Sequence, residues 1–168
     1  MPGELPGEYE VRPPVPDDAD ELGEVHVRVW REAYQSLVSQ EYLDQLDPRR
    51  SAERWRVLLS EAPDGRQVRL LGLYEQEIVG FVMVGPPRDD DPPTPRELQV
   101  INVLPAHHGT GLADRMLADA LGDSPAYLWV MEGNERALAF YRRYGFAADG
   151  VTTRHESTGT TLLRMVRR

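Results

Sequence analysis

The sequence predicts an α+β fold, a mixed α/β sandwich in which a twisted mixed sheet of about seven strands is flanked by about four helices. Three observations predict it. Short runs rich in β-branched residues alternate with segments that carry a single apolar helical stripe. Val68–Tyr74 and Ile78–Val84, joined by the short Glu75–Glu77 turn, read as an antiparallel hairpin. Glu97–Leu121 followed by Ala126–Met131 reads as strand, turn, helix and strand, which implies a parallel pair with a right-handed crossover.

The chain has 168 residues, enough for one domain with a proper core. Residues 1–8 are expected to be a flexible tail and 9–168 the single domain. There is no cysteine, which excludes a cysteine nucleophile and a thiolate metal site. No apolar run approaches bilayer length and the acidic N-terminus is not a signal peptide, so a bacterial-type cytoplasmic protein without a membrane partner is expected. A net charge of −9 argues against nucleic acid as a partner. An acidic surface suits a cationic partner such as an amine, and solubility alone explains it as well.

Tyr9–Arg12 is a short first strand ended by Pro13, Pro14 and Pro16. Asp17 caps a first helix whose face carries Leu22, Val25, Val29, Trp30 and Ala33. Trp30 and Tyr34 lie one turn apart, either as core or as the wall of a pocket. Asp47-Pro48 opens a second helix that runs to about Leu59 and buries Ala52, Trp55 and Leu58 or Leu59. After the hairpin, Pro86–Arg96 is too polar and proline-rich to pack and reads as a solvated loop, or as a lid in which Asp89, Asp90 and Asp91 attract a cation.

Glu97–Leu104 is a strand ended by Pro105, and Leu112, Ala113, Met116, Leu117, Ala120 and Leu121 form the stripe of the next helix. Between them Gly109 and Gly111 permit a tight turn that presents free backbone N–H groups at a helix start, a ready phosphate site. A plain connection reads equally from this stretch alone. A P-loop lacks its Lys-Ser or Lys-Thr, and a dinucleotide fingerprint has Asp114 where its third glycine belongs. Downstream, Asn134 caps a helix that Gly145 stops, Asp149-Gly150 is a turn, and Val151–Glu156 and Thr160–Val166 are the last strands.

The pattern Val-x-Pro-x-x-x-Gly-x-Gly-x-Ala at 103–113, followed by Asn-x-x-Ala-x-x-Phe-Tyr-x-x-x-Gly-Phe at 134–146, resembles the GNAT acetyltransferase superfamily. The resemblance implies a GNAT-like fold with a central β-turn-α unit that binds coenzyme A. It implies an N-acetyltransferase that moves an acetyl group from acetyl-CoA to a primary amine by direct attack. A catalytically silent acyl-CoA sensor of the same fold is the alternative. It further implies cofactor contacts from Ile101, Asn102 and Val103 on the strand, from His108, Gly109, Thr110, Gly111, Leu112 and Ala113 at the turn, and from Asn134 and Tyr141. The chain carries His108 where the family usually has Gln or Arg, a change that leaves backbone phosphate contacts intact. The first two helices border the acceptor site in this family, which makes Trp30 and Tyr34 candidate substrate-binding residues. Family members are often homodimers.

The chemistry agrees with these residues. A lysine-like amine, with a pKa near 10.4, is neutral in only about one molecule in a few thousand at pH 7. Freeing it takes roughly 4–5 kcal/mol at most, from a base and a desolvating pocket. The leaving thiolate needs a proton or a hydrogen bond, and a phenol stays protonated at neutral pH. Tyr141 matches the family's tyrosine in that general-acid role. Asn134 and Tyr141 share one helix face about 10 Å apart along its axis. Alone they also read as a cap and a half-buried aromatic. Glu97 matches the glutamate that serves some members as base, and reads otherwise as an exposed strand-start carboxylate. His107 and His108 are adjacent and point to different sides, and His26 and His155 are distant, so no metal is expected.

Overall fold

Gly80 and Phe81 are neighbours on one strand, and the two halves of the core are built on their opposite sides. The computed structural model describes residues 4–168. Its sheet comprises β1 (Tyr9–Arg12), β2 (Val68–Tyr74), β3 (Glu77–Gly85), β4 (Glu97–Val103), β5 (Ala126–Met131), β6 (Ala147–Arg154) and β7 (Thr161–Arg167). The helices are α1 (Ala19–Ala33), α2 (Gln40–Asp44), α3 (Pro48–Ser60), α4 (Leu112–Leu121) and α5 (Glu135–Arg143). The strand order is β1-β2-β3-β4-β5-β7-β6, and only β4 and β5 run parallel.

Successive side chains on a strand point to opposite faces. On one face Trp55 of α3 meets the Phe81 ring edge-on at 5.1 Å. On the other, a Cβ on Gly80 would lie 3.2 Å from Met116 of α4, so this helix sits directly on a glycine-paved strand. Gly23 does the same between helices: a Cβ there would lie 2.5 Å from the Pro48 carbonyl, which fixes how closely α1 and α3 approach. Asp47 accepts from the Arg49 N–H at 2.9 Å, as its place before Pro48 predicts.

Four features differ from the sequence expectation. The first-helix cap is Asp18 and not Asp17: a single turn of 3-10 helix over Pro16–Asp18 precedes α1. Asp18 accepts from the Val15 N–H at 2.7 Å and pairs with Arg12 at 2.9 Å, a tie across the proline-bearing turn that selects it over Asp17. The five-residue α2, capped by Ser39, is too short for a readable stripe and is fixed by burial of Leu43. Asp149-Gly150 is no turn between strands. It lies inside β6 as a bulge, where Asp149 pairs with Arg164 of β7 at 2.6 Å. Leu5, within the expected tail, packs partly buried against the core, and residues 1–3 of that tail lie outside the described residues. Among the described residues no helix is long and apolar enough to cross a membrane.

Candidate active site

β4 and β5 share one register pair, Glu97 with Tyr127, and then part. β4 stays bonded to β3 along its length, apart from a bulge at Gln99, where Met83 faces Val100 and Val84 faces Leu98. The parting strands open a cleft of about 1320 Å³. Ile101, Asn102 and Val103 form one wall, and Asn134 and Tyr141 of α5 the other. His108, Gly109, Gly111, Leu112 and Ala113 of the turn also line the cleft, as do Trp30 of α1 and Tyr34 just past its end, whose hydroxyl lies 3.5 Å from the Asn102 side-chain oxygen.

The glycine turn has the geometry its sequence predicts. Gly111 stands at the N-cap of α4 with φ +91°, a left-handed conformation that suits glycine, and no side chain caps the helix. The Leu112 N–H reaches the Thr110 hydroxyl at 3.4 Å, and the N–H groups that follow it in the first turn have no partner within the helix. Thr110 does not line the cleft; its hydroxyl donates inward to the His107 carbonyl at 2.8 Å. His108 Nε2 lies 2.8 Å from the Val103 carbonyl. A carbonyl only accepts, so Nε2 carries the proton and ties the turn back to β4. Burial lowers the His108 pKa, with the nearby charges of Arg136 and His107 contributing, against the opposing bond to Val103. The Asp114 carboxylate at this end is already engaged: Arg143 pairs with it at 2.6 Å and the Tyr144 hydroxyl donates to it.

On α5, Asn134 accepts from the Ala137 N–H at 3.3 Å through its side-chain oxygen, which leaves its amide N–H groups as donors. Tyr141 is 9% exposed. Its hydroxyl has no hydrogen-bond partner among the described residues, although every fully buried side-chain polar atom among them is satisfied, so this hydroxyl opens into the cleft. Burial, reinforced by the Tyr34 phenol, raises its pKa well above the usual tyrosine value.

Trp30, Tyr34 and His155 bring aromatic rings together at the cleft. Trp30 stacks on Tyr34 with centroids 4.6 Å apart and lies 5.9 Å from His155. The Trp30 indole N–H donates to His26 Nε2 at 3.1 Å, and His26 Nδ1 lies 2.7 Å from the Ser51 hydroxyl. An indole only donates, so His26 is the neutral Nδ1–H tautomer. Burial, with the charge of Arg54, lowers its pKa to about 4. The Trp30 indole is thus anchored in the fold, and the same residue is among those that line the cleft.

Glu97 is not exposed. It is 1% accessible, and Arg88 reaches it through Nη2 at 2.8 Å and Nε at 3.0 Å. The Tyr127 hydroxyl lies 3.2 Å away. Any proton transfer to this carboxylate first requires Arg88 to release it. Arg88, Asp89 and Trp129 also line the cleft, and Tyr127 of β5 lies within bonding distance of Asp89 and Glu97. The sequence reads Asp89 only as part of a solvated or cation-attracting loop, and it does not single out Arg88, Tyr127 or Trp129 as site residues. One signal was present: in AYLWVM the two side chains with polar tips alternate onto one face of an otherwise apolar strand. No cluster of three or more metal-ligating side chains occurs among the described residues.

Comparison with known proteins agrees with this geometry. A family model described as the acetyltransferase (GNAT) family matches residues 27–146. An uncharacterized N-acetyltransferase of Mycobacterium tuberculosis is 32% identical over 143 residues, covering 81% of this chain and 87% of the relative. A spermine/spermidine N(1)-acetyltransferase of Bacillus subtilis is 31% identical over 109 residues, covering 58% of this chain and 72% of that protein. The fold is similar to the PaiA N-acetyltransferase of Thermoplasma acidophilum in complex with coenzyme A, with TM-score 0.70 and 17% identity over 93% of this chain and 97% of that one.

Proposed function

The chain belongs to the GNAT acetyltransferase family, and on that premise we propose that it transfers acetyl from acetyl-CoA to a primary amine by direct attack within a ternary complex. One observation carries the proposal: the Tyr141 hydroxyl, nine-tenths buried and without a protein partner, opens into the cleft between the parted strands. A silent sensor has no need for an uncommitted proton donor at that depth.

Gly109–Ala113 are assigned the pyrophosphate of coenzyme A, through the uncapped N–H groups of α4. The free amide of Asn134 and the backbone of Ile101, Asn102 and Val103 are assigned the pantetheine arm, and a β4 N–H steadies the oxyanion. Acetyl-CoA supplies the activated acyl group. Tyr141, whose raised pKa keeps it protonated, donates to the sulfur as the carbon–sulfur bond breaks. Trp30 and Tyr34 exclude water around the incoming amine. Glu97 takes up the amine proton through water once Arg88 swings aside.

The test is thiol release from acetyl-CoA across a panel of amines, with spermidine, simple alkylamines, amino acids and N-terminal peptides as acceptors. Release that depends on both acetyl-CoA and an amine is expected. Tight CoA binding with no release for any amine would leave the sensor reading in its place.

A further inference from the structure

The cleft contains a carboxylate that the mechanism above does not use. Asp89, in the loop between β3 and β4, has Oδ2 held by two donors from β5: the Tyr127 hydroxyl at 2.6 Å and the Trp129 indole N–H at 2.9 Å. Those donors stand on the same face of β5 and fix the plane of the carboxylate. Oδ1 has no partner among the described residues, and Asp89 borders the cleft into which the unpartnered Tyr141 hydroxyl also opens.

The surroundings select the ligand's charge. The cations nearest Asp89 are already committed: Arg88 pairs with Glu97 and Arg164 with Asp149. Arg136 and Arg154 line the cleft as well, and so do the stacked rings of Trp30 and Tyr34, a ring system that attracts cations where a face is open. Burial opposes ionisation of Asp89, but the bonds from Trp129 and Tyr127 and the charges of Arg88 and Arg164 outweigh it, and its pKa lies below the usual carboxylate range. A carboxylate of that kind keeps a bound ammonium charged. An ammonium has no lone pair and cannot attack a thioester, so the nitrogen held at Asp89 is not the nucleophile.

We infer that Asp89 Oδ1 anchors one ammonium of an acceptor that carries at least two amino groups, while a second, neutral amino group of the same molecule meets the thioester. This assignment of the acceptor class as an alkyl diamine or polyamine rests on the acetyltransferase reading above.

The experiment compares α,ω-diamines of three to eight carbons with the monoamine of equal length, in the wild type, Asp89→Asn and Asp90→Asn. An asparagine oxygen still accepts from Tyr127 and Trp129, so Asp89→Asn removes charge and leaves the loop pinned, which a melting curve verifies. The wild type should prefer at least one diamine over its monoamine by about tenfold or more in kcat/KM. Asp89→Asn should erase that preference through KM, with kcat within about twofold. Asp90→Asn, an exposed charge of the same loop, should retain it. A purely structural Asp89 predicts equal KM values for wild type and Asp89→Asn, and that result overturns the inference. If no amine releases thiol, the acetyltransferase reading fails by itself. The anchor is then decided by titrating the same diamines against the Trp129 indole N–H resonance: a saturable shift in the wild type that Asp89→Asn loses supports it, and no shift overturns it.

Discussion

Glu97 and Tyr127 face each other as the single register pair between β4 and β5, with the Tyr127 hydroxyl 3.2 Å from the Glu97 carboxylate. The pair marks the closed end of the wedge. Beyond it β4 gives its bonds to β3 only, and the cleft begins. The closed end is therefore tied by side chains as well as by backbone, through Arg88, Glu97, Tyr127 and Asp89.

Glu97→Gln and Arg88→Ala separate the roles of this tie. Each breaks the ion pair, and each should lower stability by about 1–3 kcal/mol, since a charge-assisted bond to a buried carboxylate is lost. If Glu97 takes the amine proton, Glu97→Gln alone also lowers kcat by about 100-fold or more. Arg88→Ala then keeps kcat near wild type. Equal kcat in all three proteins makes Glu97 a structural rivet and assigns the proton to solvent.

Tyr141→Phe should lower kcat by about 10²–10⁴-fold with CoA affinity changed by no more than a few-fold, because the hydroxyl has no protein bond to lose. The raised pKa also predicts that no basic limb from this phenol appears below about pH 10. Steady-state kinetics with calorimetry for CoA checks both. An unchanged kcat would remove Tyr141 from the chemistry.

His26 links acidity to Trp30, one of the side chains lining the cleft. Its pKa is about 4 in the fold against 6.5 ordinarily, so the unfolded chain binds the proton more readily. Its contribution to stability is fully present above about pH 6.5 and is lost as pH falls toward 4, by on the order of 3 kcal/mol. Protonation also removes the Nε2 acceptor of the Trp30 indole. Urea unfolding at pH 7.5 and 4.5 should show a smaller pH difference for His26→Gln than for the wild type. Identical differences would rule out this residue as the source.

Gly111→Ala places a Cβ on a residue at φ +91°. The left-handed conformation costs such a residue about 1–2 kcal/mol, and relaxing it rotates the N–H groups at the start of α4. CoA affinity measured by calorimetry should weaken by about tenfold or more, with the rest of the fold intact by circular dichroism. An unaltered affinity would mean the turn does not hold the phosphates.

What was legible in the sequence was local. The cap at Asp47, the hairpin across Glu75, the left-handed glycine at 111 and the shared face of Asn134 and Tyr141 all follow from short-range patterns, and each stands where the pattern puts it. What was not legible was long-range and polar. Asp89 sits in a run of three aspartates between prolines, which composition reads as solvated; its partners lie about forty residues on, in β5. The burial of Glu97 depends on Arg88 folding back across the strand start, and no periodicity records that. The bulge at Asp149-Gly150 looks locally like any turn, and only pairing with β7 makes it part of a strand.

The most direct measurement is a crystal structure of the chain with coenzyme A bound. The expected result has the pyrophosphate on the N–H groups of Gly109–Ala113, the pantetheine arm between β4 and β5, and the sulfur within about 4 Å of the Tyr141 hydroxyl. Coenzyme A bound elsewhere, with the space between β4 and β5 empty, would contradict it.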